Sequence, residues 1–119
     1  MEHSDKEDLR HRTKRYALAI MDLSTIIPNN PRGSVISRQV LRSGTSVGAQ
    51  YREACRAKSN PDFISKLEGS LQELDETLYW LELLQESQLV NLDKIAMPMR
   101  ESDELIAILT TIVRKVKSY

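Results

Sequence analysis

Between residues 64 and 81 the chain places Ile64, Leu67, Leu71, Leu74, Leu78 and Leu81 at successive steps of 3, 4, 3, 4 and 3. A half-buried strand would alternate every second residue; this heptad-like spacing predicts a helix that buries one continuous seam. The seam ends in Leu78-Tyr79-Trp80-Leu81-Glu82-Leu83-Leu84. At about 100° per residue those side chains point nearly all the way round the helix, and a helix that is apolar all round is covered all round. One bundle core covers about half of that circumference. The remainder, with Tyr79, Trp80 and Leu83, is therefore expected to face another subunit.

The flanking segments repeat the helical period. Leu9, Tyr16, Ile20, Leu23 and Ile27 mark one face of a first helix over about 5–27, with Ser4 or Asp5 as its cap. Pro28 to Gly33, PNNPRG, reads as a stop. A second helix is expected over about 34–58, capped by Gly33 or Ser34, with apolar Ile36, Val40, Val47, Tyr51 and Ala54. Ser59-Asn60-Pro61-Asp62 is a compact restart, because proline suits a first turn that has no partner for its N–H. The leucine-seam helix then runs over about 61–87. A fourth helix over about 93–117 carries Leu92, Ile95, Met99, Ile106, Leu109, Val113 and Val116. Pro98 interrupts it, so either the helix kinks there or its regular part starts near Met97; a short lead-in turn followed by a continuous helix from about Pro98 is the favoured expectation. Four helices with short connections predict an all-α, antiparallel up-down-up-down four-helix bundle spanning residues 1–119 as one domain.

Charge and composition narrow the function classes. Lys plus Arg and Asp plus Glu both number 17, which gives no bulk attraction to nucleic acid or an anionic membrane. The halves differ, however: residues 1–60 carry 11 basic and 6 acidic side chains, and residues 61–119 carry 6 and 11. Neutralisation between neighbouring helices is the simplest reading, with Arg38, Arg42, Arg52 and Arg56 set near Glu68, Glu73, Asp75 and Glu76. Cys55 is the single cysteine, so an intrachain disulfide and a multi-cysteine metal site are both excluded. The charged start MEHSDKEDLR has no apolar core of a signal peptide, and no stretch approaches the ~20 apolar residues of a membrane span. A cytoplasmic protein is expected.

Catalytic readings fail one after another. His3 and His11 have no cysteine or carboxylate at a zinc-motif spacing. Glu82 and Glu86 are spaced as in di-metal bundles, but the Glu-x-x-His pairs such sites need are missing. Ser43, Thr45 and Ser46 have no histidine base within their segment, and Gly44 and Gly48 sit inside a helix, where no phosphate loop forms. No enzyme activity, metal or cofactor is expected.

Two features remain. Leu41 to Cys55, LRSGTSVGAQYREAC, puts Ser43, Gly44, Ser46, Gly48 and Ala49 where a bundle helix would carry Leu or Ile. A helical glycine costs up to ~1 kcal/mol relative to alanine, and close approach of another helix is the natural offset. The same segment bears a polar stripe, Gln39, Arg42 or Ser43, Ser46, Gln50 and Glu53, which is either a hydrogen-bonded interface network or a solvated face. The second feature is Arg10-His11-Arg12-Thr13-Lys14-Arg15, whose Arg10, Arg12, Lys14 and Arg15 could contact phosphates, although no aromatic interleaving or base-reading element accompanies them.

The block from Ile36 to Leu84, with LRSGTSVGAQYREA followed by DFISKL and WLELL, resembles the small four-helix-bundle proteins encoded in intervening sequences of bacterial 23S ribosomal RNA genes. It also resembles the related accessory variability determinant of diversity-generating retroelements. The resemblance implies a homopentameric ring with no established enzymatic activity. The family motif's polar positions fall on Arg42, Ser46, Gln50 and Glu53, and relatives often carry Asn where Gln50 stands. The accessory determinant is strongly basic, whereas this chain is neutral. The expected partners are further copies of the chain, with RNA or an RNA-bound enzyme such as a reverse transcriptase as the alternative. Assembly and packing are expected to rest on Arg42, Ser43, Gly44, Ser46, Gly48, Gln50, Glu53, Tyr79, Trp80 and Leu83.

Overall fold

Leucine seams on separate helices can be buried only against one another, and the chain does this with four helices: α1 (Glu2–Thr25), α2 (Pro31–Cys55), α3 (Asn60–Glu86) and α4 (Leu92–Lys117). The computed structural model describes the backbone of residues 2–118 and the side chains of residues 9–118, and no strand occurs among them. Each helix packs on its neighbours in sequence, and α1 closes on α4; the α2–α3 contact is the most extensive and α1–α4 the least. The result is an all-α, antiparallel up-down-up-down bundle measuring 47 × 23 × 20 Å.

The ends of the helices follow capping chemistry, with some corrections to the sequence reading. The backbone is already helical at Glu2, so Ser4 and Asp5 lie inside α1; their side chains, like that of His3, lie outside the described residues. Helix α1 stops at Thr25, two residues before the expected end, where the Ser24 and Thr25 hydroxyls donate to the carbonyls of Met21 and Asp22. Helix α2 begins at Pro31, earlier than the expected Ser34, because Asn30 is the cap: its Oδ1 accepts from the Gly33 N–H at 2.8 Å. Pro31 therefore starts a helix where the sequence suggested a stop, since a first-turn proline gives up no helical hydrogen bond. Helix α2 ends at Cys55, short of Lys58, as Arg56 and Ala57 turn back to the carbonyls of Glu53 and Ala54. Ser59 caps α3 through Asp62 N–H at 3.2 Å, with Pro61 in the first turn as expected.

Helix α4 corrects the largest local expectation. It runs unbroken from Leu92 through Pro98, with no separate lead-in turn. Proline there removes one helical hydrogen bond. The segment stays helical because Ile95 and Pro98 are both buried, so the first turns are held by packing.

The core comprises Leu9, Tyr16, Ile20 and Leu23 from α1, Val40, Val47 and Tyr51 from α2, and Leu105, Leu109 and Val113 from α4, around the α3 seam. In α3 the buried line is Leu67, Ser70, Leu74, Thr77, Leu81 and Leu84, while Ile64, Leu71 and Leu78 are half-buried beside it. Small hydroxyl residues thus alternate with leucines at the deepest positions, where α3 meets α2. Ser70 Oγ donates to the Val47 carbonyl at 2.8 Å, a side chain of one helix reaching the main chain of the other.

Candidate assembly surface

Ser43, Gly44 and Gly48 of the small-residue run in α2 pack against its neighbours on two sides, while Ala49 is exposed. Toward α1, a Cβ added to Gly44 would lie 2.8 Å from Ile20 Cγ2, and one added to Gly48 would lie 3.2 Å from Thr13 Oγ1. Ile20 is fully buried, so glycine at 44 is what lets α1 lie this close. Toward α3, buried Ser43 meets buried Thr77 at 2.7 Å between hydroxyl oxygens. Both hydroxyls also reach carbonyls within their own helices, Ser43 to Gln39 at 3.0 Å and Thr77 to Glu73 at 2.7 Å. Each hydroxyl has one proton, so Ser43 donates to the Gln39 carbonyl while the Thr77 proton is shared between the Glu73 carbonyl and the Ser43 oxygen.

The polar stripe falls between the two alternatives. It lies along the α2–α3 seam, partly shielded and tied to α3. Arg42 pairs with Glu73 and, closely, with Glu76; Glu53 pairs with Lys66 at 2.9 Å. Gln50 lies over Gly69, whose missing side chain leaves room for the amide. Ser46 is half-buried and donates to the Arg42 carbonyl at 2.8 Å. Hydrogen bonding to Glu76 holds the Arg42 guanidinium above its ordinary range, and Arg42 in turn holds the Glu76 carboxyl below its own. Of the four arginines expected to neutralise α3, Arg42 is the one that does so among the described residues. Lys117 on α4 reaches Glu68 instead, at 3.0 Å.

At the aromatic end of α3, Leu81 and Leu84 are buried, and Trp80 and Leu83 are half-buried against the core. The Trp80 Nε1–H donates to Glu76 at 3.2 Å, so the indole is fixed within the bundle. Tyr79 meets Trp80 edge-on, with ring centroids 5.1 Å apart, and is itself 53% exposed. In the single chain Tyr79 is therefore the one aromatic side chain this end of α3 leaves exposed, with Asp75, Glu82 and Glu86 exposed beside it.

The basic run on α1 is divided by the fold. Arg12 is bound to α4, with Nε donating to Glu101 at 3.0 Å and Nη2 at 2.6 Å, and a further contact to Glu104 at 3.2 Å. The Glu101 hydrogen bond raises the Arg12 pKa against the opposing effect of burial. Thr13 is buried, its hydroxyl donating to the Leu9 carbonyl at 2.8 Å. Arg10, His11, Lys14 and Arg15 are exposed. Arg10 and Lys14, together with Arg52 from α2, rim a groove of about 260 Å³ floored by Ala17, Gly48 and Ala49.

Sequence patterning missed a buried layer of hydroxyls. Tyr16 Oη lies 2.6 Å from Ser102 Oγ, and Ser102 Oγ donates to the Pro98 carbonyl at 2.7 Å. The Ser102 proton is engaged by that carbonyl, so Tyr16 donates to Ser102. Burial pushes the Tyr16 phenol up to about 12. The available signal was phase: Ser70 and Thr77 stand three residues after Leu67 and Leu74, in step with the buried line.

Among the described residues no group of His, Cys, Asp and Glu is placed to hold a metal ion. Among the same described residues no helix is long and apolar enough to cross a membrane. Cys55 is free and half-buried.

This arrangement, four antiparallel helices whose small and polar residues knit α2 to both neighbours, defines an all-α helical-bundle protein. The chain belongs to the 23S rRNA-intervening sequence protein family, whose model matches residues 6–111. It is similar to a crystal structure of a protein of unknown function from the S23 ribosomal protein family of Bacteroides thetaiotaomicron, with 36% identity and a TM-score of 0.84 over 92% of this chain and 97% of that one. No curated protein matches it.

Proposed function

We propose that the protein is a non-catalytic, cytoplasmic, homo-oligomeric bundle that works as an RNA-associated scaffold, with the pentameric ring that the family resemblance implies. The observation that carries this reading is large apolar surface left open on a folded chain whose core is complete. On the face shared by α1 and α2, Leu18 is 51% exposed, Met21 47% and Leu41 36%, side by side on adjacent helices. Exposed apolar area of this kind marks interaction surfaces. Light scattering at micromolar concentration tests it. A mass several times 13.6 kDa is expected, and a 13.6 kDa monomer overturns it.

A second reading has its own support. Arg10, Lys14 and Arg15 on α1 are exposed, as is Arg52 on α2, a basic surface on a chain of zero net charge. An accessory subunit that presents this surface to RNA, alongside an enzyme such as a reverse transcriptase, would bind in a salt-dependent manner. Lys14→Ala with Arg15→Ala should weaken such binding. Arg12, occupied by Glu101, should contribute little to it. Retention on structured RNA that ignores the paired substitution rules this reading out.

A further inference from the structure

The groove between α1 and α2 continues beyond its basic end. Leu18 stands one turn beyond Lys14, Met21 one turn beyond Ala17, and Leu41 one turn before Thr45, another groove residue. Because the helices are antiparallel, these steps move in the same direction and share the groove's face. All three side chains are exposed, Leu18 by 51%, Met21 by 47% and Leu41 by 36%. Arg38 follows three residues beyond Leu41 on the same face and is also exposed. Read along the groove, the surface is a cation (Arg38), an apolar ledge (Leu18, Met21, Leu41), then a cluster of cations (Lys14, Arg10, Arg52).

The outward ridge of α3 carries the complementary order. Asp75, Tyr79, Glu82 and Glu86 fall within about 80° of one another at helical spacing, and all four are exposed. The ridge reads anion, aromatic, anion, anion. With Tyr79 placed over Leu18, Glu82 and Glu86 lie about 4.5 and 10.5 Å further along the axis, and Lys14 and Arg10 about 6 and 12 Å along theirs. On the other side, Asp75 is about 6 Å from Tyr79, and Arg38 about 4.5 Å from Leu41. The long basic side chains span these differences. Within one chain the ridge and the groove cannot meet, because α3 is packed between α2 and α4 and turns Tyr79 outward.

We infer that the α1–α2 groove receives the Asp75–Glu86 ridge of α3 from a second copy of this chain, head to tail, with Tyr79 on the Leu18 ledge. This rests on the homo-oligomer reading above and assigns the surfaces that would make it. The contact joins two different patches, so each copy keeps one free ridge and one free groove, and the array closes into a ring or runs on. It also gives the opposite charge imbalance of the two halves of the chain a role between subunits.

The test uses Leu18→Asp, which spoils the groove, and Tyr79→Asp, which spoils the ridge; both sites are exposed, and helicity by circular dichroism confirms folding. Wild type should be oligomeric, each variant alone should be 13.6 kDa, and the two mixed should give a species of about 27 kDa, since the mixture holds one sound groove and one sound ridge. An oligomeric wild type whose variants keep its mass, or whose mixture stays monomeric, overturns the interface and leaves the oligomer standing. A monomeric wild type overturns the oligomer itself. An independent charge pair covers loss of folding: Lys14→Glu and Glu82→Lys should each weaken assembly at least tenfold, and the double variant should recover most of it. A double variant as weak as the singles, or Lys14→Glu that loses RNA retention at unchanged mass, contradicts the assignment.

Discussion

Replacing Gly44 by alanine tests how closely α1 and α2 are packed. The added Cβ would sit 2.8 Å from Ile20 Cγ2 and 2.9 Å from Ile20 Cγ1. Ile20 is fully buried and β-branched, so its side chain has no free rotamer to move into. Overpacking of this kind costs about 1–3 kcal/mol. Against it stands the helical advantage of alanine over glycine, up to about 1 kcal/mol. The net expectation is a destabilisation of roughly 0–2 kcal/mol, seen as a melting temperature lower by up to about 10 °C. The sign of the coupling is the sharper result. Ile20→Ala alone should cost about 2–5 kcal/mol for the cavity it leaves. In that background Gly44→Ala should stabilise, because the clashing atoms are gone and the propensity gain remains. Urea denaturation of the four proteins gives the cycle. Gly44→Ala that stabilises the wild-type background by a full 1 kcal/mol would refute the close-contact reasoning.

Three further outcomes follow from the geometry. Gly33→Ala should cost roughly 2–4 kcal/mol in urea melts, more than Gly48→Ala, because its Cβ would fall 1.9 Å from the Pro28 carbonyl oxygen and main chain cannot step aside as a side chain does. Tyr16→Phe should cost about 0.5–1.5 kcal/mol at neutral pH by leaving Ser102 without its donor. The raised Tyr16 pKa favours the protonated phenol in the folded chain, so its contribution is whole below pH ~10 and is lost as pH rises through about 12; Tyr16→Phe should flatten that alkaline limb, leaving the share of Tyr51, whose phenol burial also raises. Glu76 titrates below its ordinary range, so the Arg42–Glu76 pair helps above the usual carboxylate pKa and is lost as pH falls through the lowered one. Both side chains are more than a third exposed, so Arg42→Ala should cost under about 1 kcal/mol at pH 7 and progressively less as the pH falls below the usual carboxylate range.

The four helices were legible in the sequence because each carries a 3.6-residue apolar period, and the short Pro- and Asn-containing connections fixed their antiparallel order. What stayed hidden has physical causes. Pro31 and Pro98 are the same residue type with opposite local meaning. One lies behind an Asn30 cap that only the fold reveals, and the other is held helical by the burial of Ile95 and Pro98. The deepest positions of α3 include Ser70 and Thr77, which look polar in isolation yet satisfy themselves by bonding main-chain carbonyls. On the surface, Arg12 reads as one of four equal cations until the fold brings Glu101 to it from 89 residues away. The glycines of α2 did announce close contact, but their neighbours, Ile20 and Thr13 of the same chain, could not be named from spacing alone.

Native mass spectrometry of the wild-type chain at several concentrations tests the account most directly. A discrete assembly of about 68 kDa, five 13.6 kDa subunits, is the result it predicts. A single 13.6 kDa species up to tens of micromolar, with the helices fully formed, would contradict it.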